Sequence, residues 1–151
     1  GAYHPFTKKL MEEFGGNIAF VYRHFPLRSI HRYADLAAQT AEAAGKQGKF
    51  WEMDDLLYTN QGLWKDSNEA EKIFVSYAES LGLNLDQFQT DLKSEAIKAK
   101  IESDLQSGLK ANVRGTPTFF INGKSIKNPL SYDEFKRIII EAGAAPTPKN
   151  S

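Results

Sequence analysis

Cysteine is absent from all 151 residues. This excludes disulfides, thiolate nucleophiles and cysteine-based zinc sites within the chain. It leaves the redox compartment open, since a chain without thiols suits either environment. An excess of one charge is also lacking. Nineteen Lys and Arg balance nineteen Asp and Glu, so the chain carries no electrostatic footprint for nucleic acid or an anionic membrane. No apolar run reaches the roughly eighteen residues of a membrane span, and no secretory leader pattern is legible. Histidines are few. His4, His24 and His31 include no pair at helical i, i+4 spacing and no neighbouring acidic cluster, so no metal site is expected.

What is there suits one globular domain with a real core: 41% hydrophobic and 25% charged residues over 151 positions. The first residue is Gly1 rather than Met, and the sequence opens directly on a helical pattern. The expectation is a processed, truncated or incompletely recorded chain. The polar, proline-broken stretch 144–151 is expected to be a flexible tail.

Apolar periodicity predicts a helix from Tyr3 to Phe14, with Phe6, Leu10 and Phe14 on one face and Gly15-Gly16 as its stop. Pro5 falls in its first turn or two, and any helix preceding it must bend there, because proline lacks the amide donor and clashes with the preceding turn. Ile18 to Phe25, apolar at both alternating sets, predicts a strand covered on both faces. About five helices follow. One of them is alanine-rich from Arg32 to Ala44, and Asn68 with Glu71 and Asn84 with Gln87 fit capping boxes. Then Thr118–Ile121 and Lys124–Ile126 flank Asn122-Gly123, a strong hairpin signal. A last helix carries Phe135, Ile138 and Ile139 behind a Ser131/Glu134 capping box. This order implies an α/β layer fold with a helical insertion.

Three segments carry a family resemblance: Val113-Arg114-Gly115-Thr116-Pro117-Thr118-Phe119-Phe120-Ile121-Asn122-Gly123, Tyr22-Arg23-His24-Phe25-Pro26-Leu27 and Gln47-Gly48-Lys49-Phe50-Trp51-Glu52. Together they resemble the DsbA-like branch of the thioredoxin superfamily. The resemblance implies a thioredoxin-like α/β fold over residues 1–143 with a helical insertion at about 29–111. It also implies that the central N-terminal strand and the Cys-x-x-Cys motif are missing. If Pro5 matches the helix-kinking proline of that family, the missing cysteine is expected immediately before Gly1. Without the strand, two inner strands would show open edges, so an upstream segment, another chain (as in a strand-exchanged oligomer) or a rearranged sheet is expected.

The same resemblance implies protein-disulfide oxidoreductase lineage, with cysteine-containing proteins or peptides as substrates, a redox-recycling partner and a periplasmic or other extracytoplasmic location. No cofactor and no nucleic-acid partner are implied. No catalytic residue lies in the chain, so it is expected to be inactive alone. The implied substrate-binding residues are Thr116 and Pro117, at a cis peptide bond whose exposed backbone pairs with an extended segment, and His4 beside the expected thiol. The bland alternatives are a trans proline starting a strand and a solvent-facing histidine. A redox-inactive peptide- or protein-binding module is the main alternative function, and a glutathione-using relative is a third. Tyr33, Trp51, Tyr58, Trp64 and Tyr77 could line a groove but are expected to fill a core, with Trp64 the one expected to be partly exposed. Glu12-Glu13, Asp54-Asp55 and Lys93–Lys100 are expected to be solvated faces.

Overall fold

The computed structural model describes residues 3–148. The expectations for Gly1, Ala2 and residues 149–151 lie outside them. The chain divides into two compact units, one of Gly1–Tyr22 with Gly115–Ser151 and one of Arg23–Arg114.

In the first unit, α1 spans His4–Phe14, with Pro5 in its opening turn, where proline's missing N–H costs nothing. A 3₁₀ turn, Gly15–Asn17, follows. Gly15 enters it at φ 49°, a left-handed conformation that suits a residue without a Cβ. Strands β1 (Phe119–Ile121) and β2 (Lys124–Ile126) pair antiparallel, with Phe119 opposite Ile126. Asn122 and Gly123 turn the hairpin at φ 48° and 78°, the two positive values that a two-residue hairpin requires. Helix α8, Tyr132–Glu141, closes the unit. Leu10 and Phe14 of α1 bury themselves against Phe135 and Ile139 of α8, with Phe6, Ile18, Phe119 and Ile121 packed around them.

The second unit is helical: α2 (Ala34–Gly45), α3 (Phe50–Thr59), the single turn α4 (Gln61–Trp64), α5 (Ala70–Ser80), α6 (Leu85–Leu92) and α7 (Glu95–Lys110). Its core sets small residues of α2, including Ala41, Ala43 and Ala44, against Met53, Leu57, Phe74, Phe88, Ile97 and Ile101. Alanine lets helices approach closely, and the larger side chains fill what remains.

Several sequence expectations need correction. Ile18–Phe25 is not a strand; the only ladder among the described residues joins β1 to β2. The backbone at Ile18 is extended (φ −129°, ψ 146°), but extended residues become a strand only when a neighbour pairs with them. Nor is this stretch covered on both faces. Ile18, Phe20 and Tyr22 are half-buried, whereas Ala19 is exposed and Val21 is 67% exposed. Trp64 is buried, not exposed, because its indole N–H donates to the Leu57 carbonyl at 2.9 Å. Conversely, Trp51 and Tyr58 lie partly exposed on α3. Asn68 does not cap α5. Its side chain accepts from Arg32, and the Ser67 hydroxyl takes the Glu69 amide instead.

The solvated-face expectation also fails at three places. Glu13 accepts hydrogen bonds from Tyr132 and Lys136 of α8. Asp54 is buried. Lys100 bridges Glu42 and Asp104 at 2.7 Å each. Glu13 and Lys100 find partners on elements distant in sequence, Tyr132 and Lys136 for the one and Glu42 for the other, which residue spacing along one helix does not show.

Candidate functional site

The loop ahead of β1 gathers the sequence-predicted residues Thr116 and Pro117. Their peptide bond is cis, and both residues are exposed. Two side chains brace the loop. The Thr118 hydroxyl donates to the Gly115 carbonyl at 2.7 Å, closing a turn around Thr116 and Pro117. The Asn128 amide donates to the Pro117 carbonyl at 2.9 Å. Among the described residues, the Thr116 amide and carbonyl meet no hydrogen-bond partner. An exposed backbone donor and acceptor of this kind can be completed by another extended backbone. Beyond the loop, and among the described residues, β1 pairs with β2 along one edge only.

His4 is half-buried as the first residue of α1, and its carbonyl accepts from the Thr7 hydroxyl at 3.0 Å. The link between this first turn and the proline loop is an edge-to-face ring pair between Tyr3 and Phe119, centroids 5.3 Å apart. Phe119 in turn meets Phe135 of α8 at 4.8 Å. Tyr3 and Asn128 were not singled out from the sequence. An aromatic just before a helix hints at packing and Asn-Pro marks a turn, but neither signal names the partner. Residue type alone cannot show that Asn128 reaches back eleven positions to Pro117.

A polar cluster lies in the second unit, around His24. The buried imidazole Nε2 lies 2.8 Å from Glu42 Oε1, while the His24 backbone amide donates to Asp104 Oδ2 at 3.1 Å. Burial pushes the Glu42 carboxyl up, yet hydrogen bonds from His24 and Lys100 outweigh it and hold it below the usual carboxylate value. Burial likewise pushes Lys100 down, and its bonds to Asp104 and Glu42 more than reverse this. The cluster fastens the His24 segment to α2 and α7. Among the described residues, no group of three or more His, Asp or Glu side chains gathers to hold a metal ion.

A first helix, a proline loop, a hairpin and a closing helix, with a helical unit between the first helix and the loop in sequence, fit a thioredoxin-like α/β fold with a helical insertion. Comparison with known proteins agrees. A profile described as thioredoxin matches residues 2–141, and the chain belongs to that family. A thioredoxin-like oxidoreductase from Silicibacter pomeroyi shares the fold. It has TM-score 0.64 and 23% identity, over 91% of this chain and 79% of that one. The Na(+)/H(+) antiporter NhaA 1 of Salinispora arenicola is 42% identical over 82% of this chain and 18% of its own length. The Na(+)/H(+) antiporter NhaA 3 of Salinispora tropica is 34% identical over 96% of this chain and 21% of its own. The chain thus spans about a fifth of these curated relatives.

Proposed function

We propose that this chain is the polypeptide-engaging part of a DsbA-like thiol–disulfide oxidoreductase whose exchange thiols come from outside its 151 residues. The observation that carries this reading is the exposed, unpaired Thr116 backbone, linked through Tyr3 and Phe119 to the first turn of α1. A cysteine-containing protein segment lies along Thr116 and Pro117 in extended form, with His4 at the neighbouring turn. A thiolate placed ahead of α1 would be favoured by the free amides and dipole of that helix end. It attacks one sulfur of the substrate disulfide. The S–S bond breaks, a mixed disulfide forms, and the other sulfur leaves as thiolate. A second cysteine then displaces the substrate, so two electrons pass in all. An extracytoplasmic location and a recycling partner belong to the same reading.

The test has two arms. The chain itself should not catalyse insulin reduction by dithiothreitol above the uncatalysed rate. The natural gene product should carry Cys-x-x-Cys ahead of the residue numbered Gly1 and should catalyse it. A natural protein without cysteine there would end the oxidoreductase reading.

The absence of cysteine from the chain favours a second reading, a redox-inactive module that holds peptides at the same loop. Peptide binding left unchanged by Pro117→Ala would remove it. We do not propose ion exchange for this stretch. It spans about a fifth of the antiporters it resembles, and no helix of the described residues is long and apolar enough to cross a membrane.

A further inference from the structure

We propose that Asn128 is a positioning residue that aims the Thr116–Pro117 backbone at an extended polypeptide; this rests on reading that loop as a polypeptide site. The segment carrying Asn128 is itself firmly held. Pro129 is among the fully buried side chains. The Leu130 amide donates to Glu134 Oε2 at 2.7 Å, and the Ser131 hydroxyl accepts from the Glu134 amide at 3.1 Å. Asn128 therefore projects from a fixed platform at the start of α8. Among the described residues, its Nδ2 is the side-chain donor on the Pro117 carbonyl. Thr118 closes the turn from the other side through Gly115.

Asn128 holds the Pro117 carbonyl and Thr118 the Gly115 carbonyl, and between them the Thr116 amide and carbonyl stay without a partner among the described residues. Asn128 makes no bond to the incoming chain. It sets the plane in which Thr116 presents its donor and acceptor, so its loss misaligns two hydrogen bonds at once.

The probe is S-carbamidomethylated insulin B chain, a polypeptide whose blocked thiols allow binding without exchange. Binding to the full chain is followed by fluorescence anisotropy and by the Thr116 amide resonance. Asn128→Ala should weaken binding about tenfold, the weight of roughly one or two hydrogen bonds. Asn84→Ala, which removes a helix cap in the other unit, should destabilise the protein but leave binding unchanged. Asn128→Asp should bind weakly near neutrality, where a carboxylate faces the Pro117 carbonyl. It should recover relative to the unsubstituted protein as pH falls through the carboxylate range, because a protonated carboxyl regains a donor. Equal affinity for the unsubstituted protein and Asn128→Ala, or no recovery of Asn128→Asp on acidification, overturns the role of Asn128. If the unsubstituted protein shows neither anisotropy change nor a Thr116 shift, both this role and the polypeptide-site reading fall.

Discussion

Gly108 on α7 illustrates how a single missing methyl sets a contact. A Cβ added there would sit 2.7 Å from Phe25 Cδ2 and 2.9 Å from Cε2, closer than carbon atoms pack. The Phe25 ring is not the end of a flexible side chain, and the neighbouring His24 is pinned by Asp104 and Glu42, so the segment has little room to retreat. Gly108→Ala should therefore lose stability in spite of alanine's better helix propensity. About 1–3 kcal/mol is expected from overpacking, read as a lower urea midpoint with an unchanged slope. Gly62, with nothing within 4 Å of its added Cβ, is the comparison site, where Ala should be neutral or mildly stabilising.

At the scale of elements, capping separates what local sequence can and cannot say. Asn84 caps α6 through its side chain, accepting from the Gln87 amide at 2.9 Å. Asn68, with an equally good local pattern, caps nothing and instead meets Arg32 on the surface. Asn84→Ala should cost about 1 kcal/mol, and Asn68→Ala no more than about 0.5 kcal/mol. Thermal unfolding of the two variants decides between them, and equal losses would mean the cap assignment is wrong. The hairpin was legible because Asn-Gly supplies both positive φ values locally. Ser131 capped α8 as its sequence suggests, but Glu134 bonded Leu130 rather than Ser131.

Across the whole molecule, stability should depend on pH through groups that gain partners on folding. Glu42 and Glu13 are both held below their usual values, Glu13 mainly by hydrogen bonds from Lys136 and Tyr132. A carboxylate lowered in the folded state adds stability above its unfolded value and loses it as pH falls through its folded one. Lys100, raised in the folded state, adds stability below its unfolded value and loses it as pH rises through its folded one. The urea midpoint should be level across neutral pH, then fall below about pH 4.5 and above about pH 10. Glu42→Gln should flatten the acid limb in part, since it removes one of the four lowered carboxylates, Glu13, Glu42, Glu52 and Glu102. An acid limb unchanged in that variant would show that the His24 cluster does not contribute.

The candidate site residues were legible through motif and family resemblance. Lack of cysteine excluded thiol chemistry within the chain, the resemblance of Gly-Thr-Pro-Thr to a family motif pointed to the loop, and Asn-Gly marked the hairpin because turn chemistry is a local property. The helices were legible for the same reason: their apolar stripes repeat within a few residues. Partnership was decided only in three dimensions. Whether Ile18–Phe25 becomes a strand depends on a neighbour to pair with, and Trp64 is buried because the Leu57 carbonyl receives its indole N–H. Asn128 steadies Pro117 because a buried proline and α8 hold it there. Hydrogen bonds between distant residues depend on where the backbone brings them, and that position is a property of the folded chain rather than of any stretch of its letters.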